Sequence, residues 1–404
     1  MQFADRISPL KHNVFADIDR TKSKLRATGQ SLIDLSLGSS DLPTSPHILD
    51  AIAHSLTEPA THGYLLFNGT QPFRQSIAAW YEKRFGMTVD AETEVLPLIG
   101  SQEGTAHLPL ALLNPGDYAL LLDPGYPSHS GGVHLAGGQI YGMPIAENTG
   151  FLPVLSDIPP DVLSRAKLMV LSYPHNPTGA IAPLEFFQEA VAFCKTHNLV
   201  LAHDFPYLDL VFQPEPVPSI FQADPTKSCT IEFFTMSKSY NMGGFRIGYA
   251  IGNATLITAL RQIKATVDFN QYLGILNAAS VALTEDQACV RKTVEIFHDR
   301  MNTFVDAMNA IGWPVTKPNA AMYVWAKLPD GYTDSMKFCL DLMEKTGVVA
   351  SPGIGFGAGG EGYVRFALVH ESTILREAAR RISKANYLKP DRATEPTHPS
   401  SSNQ

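Results

Sequence analysis

Short apolar segments that alternate with helical stretches constrain the fold of this chain more than any other feature of its sequence. They cover residues 95–99, 118–122, 168–173, 199–203 and 231–234. Between two of them, the stretch 183–197 places apolar side chains at spacings of three and four residues, the repeat of an amphipathic helix. Strands that are apolar along their length are buried on both faces, as in parallel sheets covered by crossover helices. The sequence therefore predicts an α/β fold with a mostly parallel sheet.

The length of the chain and a change of pattern near residue 271 predict two domains. A chain of 404 residues is longer than a domain with one hydrophobic core usually is. A long amphipathic helix, predicted over 290–308, leads from the first domain into the second. The amino-terminal part is predicted to contain a helix over 12–28 and a strand over 32–37. We expect an amino-terminal arm that is partly in the small domain, a large domain, a small carboxyl-terminal domain and a disordered, Pro/Ser/Thr-rich tail, at residues 1–45, 46–280, 281–388 and 389–404.

Composition and the first residues narrow the functional class. The formal net charge of −8 argues against nucleic acid and anionic membranes as partners. No apolar run approaches the length that spans a bilayer, and the amino terminus lacks the apolar core of a signal peptide, so we expect a cytoplasmic protein. The four cysteines are far apart and show no zinc spacing, which indicates thiols rather than a metal site.

The segment 235–246 places a lysine, Lys238, among hydroxyl side chains and glycines, with Arg246 eight residues further on. An unprotonated lysine amine attacks carbonyl groups, and arginine with the hydroxyls of Thr235 and Ser237 supplies donors for a phosphate. A reactive amine beside phosphate donors suggests pyridoxal 5′-phosphate, which carries both an aldehyde and a phosphate. A solvated loop with an ordinary lysine and arginine explains this segment equally well.

Polar residues follow the predicted strands, where ligands bind in open α/β sheets. Ser101 and Gln102 open a helix whose backbone amides can hold a phosphate. Tyr126 can stack on a planar ring, and Asn176 can donate to a phenolate oxygen or a carboxylate. Asp204 can pair with a protonated pyridine nitrogen. Each residue alone is also typical of an ordinary turn, cap or packed side chain.

A glycine-rich segment at 353–358 fits a loose form of the dinucleotide-binding pattern. That pattern requires a strand before it and a helix after it. Here the next element is predicted to be a strand, over 363–368, so we reject a nicotinamide site.

Taken together, these motifs resemble the class I/II pyridoxal-phosphate aminotransferases of fold type I, over nearly the whole chain apart from the tail. Within that family the chain is most similar to the group of LL-diaminopimelate, aspartate and alanine aminotransferases. It departs from that group at Gln102, where the group has a lysine, and around 64–69. The motifs that carry the resemblance are Tyr64…Gly69, Gly100-Ser101-Gln102-Glu103-Gly104, Asp123-Pro124-Gly125-Tyr126-Pro127, Asn176-Pro177-Thr178-Gly179, Asp204…Tyr207, Ser237-Lys238…Arg246 and Gly362-Tyr363-Val364-Arg365.

The resemblance implies a large domain with a mostly parallel seven-stranded sheet, a smaller α/β domain and a role for each motif. Lys238 forms a Schiff base with the cofactor and then moves a proton, Arg365 binds the substrate α-carboxylate, and Gly38 supplies a backbone amide beside it. The remaining cofactor contacts are Asp204 to the pyridine nitrogen, Tyr126 on the ring, Asn176 and Tyr207 to the phenolate oxygen, and Ser101, Gln102, Thr235, Ser237 and Arg246 to the phosphate.

The resemblance also implies a homodimer with shared active sites, in which Tyr64 reaches the phosphate of the neighbouring subunit. The expected reaction transfers the amino group of LL-diaminopimelate or aspartate to a 2-oxo acid such as 2-oxoglutarate. An alanine- or methionine-type aminotransferase and a pyridoxal-phosphate-dependent C–S β-lyase are the alternatives. A non-enzymatic ligand-binding regulator is a further one, against which the intact Lys238, Asp204 and Arg365 argue.

Overall fold

The computed structural model describes residues 3–11 and 16–385. The predicted disordered tail at 389–404 and the first part of the predicted helix at 12–28 lie outside these residues. Within the described ranges, no helix is both long and apolar enough to cross a membrane.

Twelve strands and twelve α-helices make up the described residues, together with short 3₁₀ turns. The strands are β1 (Ile33–Asp34), β2 (Val95–Leu98), β3 (Tyr118–Asp123), β4 (Gln139–Pro144), β5 (Ala166–Leu171), β6 (Val200–Asp204), β7 (Thr230–Thr235), β8 (Gly248–Gly252), β9 (Tyr323–Lys327), β10 (Val348–Val349), β11 (Ser351–Pro352) and β12 (Tyr363–Ala367). The helices are α1 (Ala16–Ala27), α2 (Pro46–Leu56), α3 (Gln71–Phe85), α4 (Ser101–Leu112), α5 (Ser128–Leu135), α6 (Pro160–Leu163), α7 (Leu184–Thr196), α8 (Ala254–Val267), α9 (Leu273–Thr284), α10 (Ala288–Ala310), α11 (Ser335–Thr346) and α12 (Ser372–Lys384).

The central sheet has seven strands in the order β2-β8-β7-β6-β5-β3-β4. Strands β3 to β7 pair in parallel, and β8 runs antiparallel to both of its neighbours, β2 and β7. Alternate residues of one strand pack on opposite faces: Leu120 and Leu122 lie in one apolar cluster, whereas Ala119 and Leu121 lie in another. The predicted α/β fold, with a mostly parallel sheet buried on both faces, is confirmed.

Several elements of this sheet were not predicted from the sequence. Strand β4 is an edge strand whose residues are largely half-exposed, so it lacks a continuous apolar run. Strand β8 begins and ends with glycine, a residue that is depleted in strands. Gly248 is required there because a Cβ atom would lie 2.5 Å from the Phe234 carbonyl oxygen and 2.7 Å from the Ser101 nitrogen. The helices α5, α8 and α9 were not predicted either.

The strand predicted over 32–37 is wrong in its extent, because only Ile33 and Asp34 pair, in parallel with β10. From Ser36 onward the backbone polar groups serve side chains instead: the Ser36 carbonyl accepts hydrogen bonds from Arg365 and Ser351. The strand predicted after the glycine-rich segment is confirmed as β12, and two short 3₁₀ turns precede it.

A second hydrophobic core is formed by β9, β12 and helices α10 to α12. Ile18 and Ile33 from the amino-terminal part of the chain pack into it. The long helix α10 joins the two cores, since Val290 near its start belongs to the core of the central sheet and Phe297 belongs to the second core. The limits predicted for the two domains stay a prediction.

Candidate active site

The carboxyl ends of the central strands open into a cavity of about 770 Å³. All of the predicted site residues line it except Tyr64, whose surface is 95% exposed. The predicted residues on the wall are Gly38, Ser101, Gln102, Tyr126, Asn176, Asp204, Tyr207, Thr235, Ser237, Lys238, Arg246 and Arg365. Asn176, Asp204 and Lys238 follow or end parallel strands of the central sheet and meet because these strands place their carboxyl ends at one edge. Gly38 and Arg365 reach the cavity from the segment after β1 and from β12.

Lys238 follows β7 and directs its amine toward the amino-terminal part of the chain. Its Nζ donates a hydrogen bond of 2.6 Å to the Gly38 carbonyl oxygen and lies 5.7 Å from the centre of the Tyr207 ring. A Cβ atom on Gly38 would overlap with the side chain of Tyr323, so the backbone at this position approaches the cavity wall as only glycine allows. Among the described residues, no carboxylate forms an ion pair with Lys238.

Asp204 ends β6 and carries one paired and one unpaired carboxylate oxygen. Oδ2 lies 3.0 Å from Nε2 of His129, a residue of α5. Oδ1 is buried and has no hydrogen-bond partner among the described residues. An unpaired buried acceptor is costly, and one that lines a cavity can accept a hydrogen bond from water or from a bound molecule.

Three kinds of phosphate donor converge at another part of the wall. Helix α4 begins at Ser101, after Gly100 with φ of 76°, so its first backbone amides have no partner within the helix. The Arg246 guanidinium lies beside this turn, since a Cβ atom on Gly100 would be 2.5 Å from Nη2. The Thr235 hydroxyl donates to Ser237 Oγ at 2.8 Å. A helix amino terminus, a guanidinium and hydroxyls together form an anion site.

A buried ion pair between α4 and α8 fixes the start of α4. The Nζ of Lys264, in α8, lies 2.9 and 3.0 Å from the two carboxylate oxygens of Glu103, and the Ile99 amide donates to the same carboxylate. Burial raises the pKa of Glu103 above its ordinary value, while the attraction of Lys264 opposes the rise. The segment from Ile99 to Glu103 is therefore attached to α8.

Arg365, in β12, is held in place on several sides. Its Nη1 donates to Asn176 Oδ1 at 2.8 Å, and Nη2 donates to the Ser36 carbonyl oxygen at 2.6 Å and to Ser351 Oγ at 3.3 Å. The guanidinium carbon lies 4.3 Å from the centre of the Tyr323 ring. Nε is buried and has no partner among the described residues. The guanidinium is thus oriented with donors to spare for a carboxylate.

Two hydroxyls and an amide face the same part of the cavity. Tyr207 and Tyr323 join through their hydroxyl oxygens at 2.7 Å, and burial raises the pKa of Tyr207 well above its ordinary value. Since Arg365 can only donate, it fixes the carboxamide of Asn176 with its oxygen toward the guanidinium. The amino group of Asn176 then remains as a donor.

Sequence reasoning missed the residues that support the predicted ones: Ser36, His129, Tyr323, Ser351 and Phe356. His129 follows the motif that contains Tyr126 by one helical turn, and that spacing was the one signal available for it. The glycine-rich segment at 353–358 has a packing role, because a Cβ atom on Gly353 would overlap with the Gly360 carbonyl. This close turn places Phe356, whose ring lies 4.7 Å from the Arg365 guanidinium.

Comparison with known proteins extends the similarity to nearly the whole chain. The model of the aminotransferase class I and II family matches residues 30–382. The chain is 43% identical to the LL-diaminopimelate aminotransferase of Dehalococcoides mccartyi over 95% of this chain and 98% of that protein. It is 40% identical to the enzyme of the same name from Syntrophobacter fumaroxidans, over 95% and 99% of the two chains.

Solved structures show the same similarity. A probable N-succinyldiaminopimelate aminotransferase from Thermus thermophilus superposes with a TM-score of 0.88 at 42% identity, covering 92% of this chain and all of that one (100%). Substrate-bound BacF from Bacillus subtilis superposes with a TM-score of 0.91 at 37% identity, covering 96% and 98% of the two chains.

Proposed function

Because the chain belongs to the class I and II aminotransferases, which depend on pyridoxal 5′-phosphate, we propose that its amino donor is LL-diaminopimelate and its acceptor a 2-oxo acid such as 2-oxoglutarate. The chain is an aminotransferase of fold type I. The donor assignment is supported by relatives that carry the name LL-diaminopimelate aminotransferase at 40–43% identity. Aspartate is the related acidic donor to compare with it.

The observation that supports this function is that one cavity contains a partner for each of three groups of the cofactor. Lys238 offers an amine with no carboxylate partner among the described residues, and Asp204 offers an unpaired buried oxygen. The amino terminus of α4 and Arg246 offer an anion site. Pyridoxal 5′-phosphate has an aldehyde, a basic ring nitrogen and a phosphate, and the residues present fit all three.

Pyridoxal 5′-phosphate, when bound, supplies the aldehyde that captures amino groups and a ring that accepts electron density from the substrate Cα. With the cofactor bound, Lys238 would hold it through its Nζ, and the same amine would move the proton at the substrate Cα. The 2.6 Å hydrogen bond to the Gly38 carbonyl keeps the amine at the cavity wall.

The residues around the ring set its charge. Asp204 Oδ1 would accept a hydrogen bond from the protonated ring nitrogen and keep the proton on it, and His129 holds the other oxygen at 3.0 Å so that the carboxylate keeps its orientation. The amino group of Asn176 and the hydroxyl of Tyr207 donate to the phenolate oxygen. Tyr126 packs on the ring face. These donors and acceptors favour the electron-accepting form of the ring.

The phosphate is bound by Ser101, Gln102, Thr235, Ser237 and Arg246. The helix amino terminus contributes its partial positive charge and the guanidinium a full one. Such a site would hold the cofactor by its phosphate.

Arg365 binds the α-carboxylate of donor and acceptor alike. Three of its N–H groups are used by Asn176, Ser36 and Ser351, and the guanidinium has further donors for a carboxylate. The carboxylate also meets the backbone at Gly38. One guanidinium can serve both substrates in turn because both carry the same group.

We also propose a homodimer and a cytoplasmic location. The dimer is supported by Tyr64, whose exposed side chain is free to reach the phosphate of a partner subunit. The location is supported by the four cysteines, all of which are free thiols.

The test is a panel of amino donors mixed with the purified holoenzyme and followed through the absorption of the bound cofactor, with 2-oxoglutarate added to close the cycle. LL-diaminopimelate is expected to react faster than aspartate, alanine and methionine. Lys238→Ala should abolish the absorption of the lysine-bound cofactor and the turnover. Faster reaction with alanine or methionine would refute the donor assignment, and release of pyruvate and ammonia from cystathionine would favour the C–S lyase.

A further inference from the structure

Tyr323, at the start of β9, contacts a cofactor-binding residue and a substrate-binding residue of the proposed site. Its hydroxyl oxygen lies 2.7 Å from the hydroxyl oxygen of Tyr207, which follows β6. Its ring centre lies 4.3 Å from the guanidinium carbon of Arg365, in β12. Both tyrosines are buried and line the cavity. One side chain therefore connects the residue proposed for the phenolate oxygen with the residue proposed for the α-carboxylate.

The pairing of β9 with β12 explains the contact between Tyr323 and Arg365. In this antiparallel pair, Arg365 lies opposite Trp325. Tyr323 lies opposite Ala367, two residues further along each strand. Residues two positions apart on a strand share a face, so Tyr323 and Arg365 are diagonal neighbours on the face toward the cavity. A guanidinium this close to a ring is attracted to it, and the ring supports the guanidinium from one side.

The backbone at Gly38 confines the hydroxyl end of Tyr323. A Cβ atom on Gly38 would lie 2.7 Å from Cε1 and Cζ of the tyrosine ring and would overlap with its hydroxyl. Among the described residues, Tyr207 is the one hydrogen-bond partner of this hydroxyl. Tyr323 is thus held by Gly38 on one side and joined to Tyr207 on the other.

The hydrogen bond between the two tyrosines has one direction when the proton of Tyr207 is used elsewhere. A phenol hydroxyl carries one proton and can also accept a hydrogen bond. In the proposed function Tyr207 donates its proton to the phenolate oxygen of the cofactor. The Tyr323 hydroxyl must then donate to the Tyr207 oxygen. A donor that itself accepts a hydrogen bond is polarised and forms a stronger one.

We propose that Tyr323 is a positioning residue for the reaction, whose hydroxyl orients Tyr207 toward the cofactor and whose ring orients Arg365 toward the substrate carboxylate. This inference rests on the proposed function, in which Tyr207 and Arg365 are the groups that touch the cofactor and the substrate. It adds that both groups are held by a single side chain.

Two cations and a third tyrosine surround the hydroxyl pair. Lys238 Nζ lies 5.7 Å from the centre of the Tyr207 ring, and Arg365 and Tyr126 are the other titratable groups that act on Tyr207. Burial raises the pKa of Tyr207 well above its ordinary value, so its hydroxyl remains a donor at neutral pH. A donor to the phenolate oxygen favours the anionic form of that oxygen. Weakening the donor should therefore raise the pKa of the lysine-bound cofactor.

The first test measures this pKa from the absorption of the lysine-bound cofactor, in the wild-type holoenzyme and in variants. Tyr323→Phe removes the hydroxyl and keeps the ring, and Tyr207→Phe removes the donor to the phenolate oxygen. The double variant shows whether Tyr323 acts through Tyr207. Tyr81→Phe is the matched control, since the Tyr81 hydroxyl forms a buried hydrogen bond of 2.6 Å with Ser219 and neither residue lines the cavity.

Tyr207→Phe is expected to raise the pKa of the lysine-bound cofactor by about 1 to 2 units, since a hydrogen bond to a charged group is lost. Tyr323→Phe should raise it by about 0.3 to 0.5 unit, because that hydrogen bond loses only its polarisation and its orientation. The double variant should match Tyr207→Phe. Tyr81→Phe should lower the thermal midpoint and leave this pKa unchanged.

The second test separates the ring of Tyr323 from its hydroxyl by steady-state kinetics. The donor is the one that reacts fastest in the panel described above, so the result does not depend on the donor assignment. Tyr323→Leu should raise the KM for this donor about 2- to 5-fold, the range for losing a cation–π contact. Tyr323→Phe keeps the ring and should leave the KM unchanged, although both variants shift the cofactor pKa by the same amount.

An unchanged cofactor pKa in Tyr323→Phe, with a shifted one in Tyr207→Phe, would overturn the inference and leave the proposed function standing. A Tyr323→Phe shift that persisted in the Tyr207→Phe background would overturn it too, since Tyr323 would then act without Tyr207. An equal KM in Tyr323→Leu and Tyr323→Phe would overturn the role of the ring.

Failure of the proposed function gives different results. If Tyr207→Phe caused no shift, the proposed contact of Tyr207 with the phenolate oxygen would fail, and the inference with it. If the wild-type protein mixed with pyridoxal 5′-phosphate showed no absorption of a lysine-bound cofactor, the proposed function itself would be refuted together with the inference.

Discussion

The ion pair beneath the start of α4 allows a prediction whose size follows from burial. Lys264 is fully buried, and its Nζ contacts both oxygens of Glu103 at 2.9 and 3.0 Å. Lys264→Met keeps much of the apolar side chain but removes the charge. Because the Glu103 carboxylate then remains buried without its cation, the folded protein should lose about 3–5 kcal/mol of stability.

The loss of stability in Lys264→Met should depend on pH. Burial raises the pKa of Glu103, and the attraction of Lys264 together with the Ile99 amide holds the rise in check. In the Lys264→Met variant the folded-state pKa rises further, whereas the unfolded-state pKa is unchanged. A group with a raised folded-state pKa contributes stability below its unfolded pKa, and that stability is lost as the pH rises through the folded pKa. The cost of the substitution should therefore be largest near pH 8 and fall toward pH 5.

The assay is urea unfolding of the wild type, Lys264→Met and the double variant Glu103→Gln/Lys264→Met, at both pH values. The double variant removes both charges of the pair, and it keeps His107 and Asp268, the other ionisable groups of the cluster. Its stability should exceed that of Lys264→Met at pH 8 and vary less with pH. An equal cost at both pH values, or a double variant as unstable as the single one at pH 8, would refute the reasoning. Cofactor affinity should fall in Lys264→Met because the pair fixes the helix start that binds the phosphate.

Three further predictions concern the active site. Arg365→Met should raise the KM for amino donors about 10- to 100-fold, since charged hydrogen bonds to a carboxylate are lost. The absorption of the bound cofactor should stay unchanged. An equal loss of cofactor binding and donor binding would contradict the role of Arg365. Gly38→Ala should lower turnover strongly, because its Cβ overlaps with a neighbouring tyrosine, whereas Gly63→Ala, with no atom within 4 Å, should be neutral in the same assay. If the sites are shared, Tyr64→Phe subunits, which lose one phosphate contact, and inactive Lys238→Ala subunits should form mixed dimers in which one site is intact. The refolded mixture should then be more active than the two variants kept apart, and light scattering should give the mass of a dimer; a monomer without this gain would exclude shared sites.

Some of the residues predicted from sequence can be placed by a local rule, whereas others, such as Arg365, were named only through the family resemblance. Asp204 ends β6 and Ser237 lies two residues after β7, and the carboxyl ends of parallel strands meet whatever the order of the strands in the sheet. Ser101 opens a helix in the same way. The cavity therefore unites these residues even though β4 and β8 were not predicted. Local information suggests the cofactor, whereas the reaction class was predicted from the family resemblance of the motifs taken together.

Arg365, which we propose binds the substrate α-carboxylate, and Lys22 at the same cavity depend on packing between parts of the chain that no local pattern connects. Arg365 contacts the carbonyl of Ser36 across 329 residues of sequence, and this contact exists because the second core brings β12 beside the segment after β1. Lys22 reaches the cavity only because Ile18, one helical turn before it, is buried in that same core. The sequence of α1 alone, with its alternating charges, would equally well predict a helix exposed to solvent. The positions of Arg365 and Lys22 at the cavity are therefore revealed only by the three-dimensional packing.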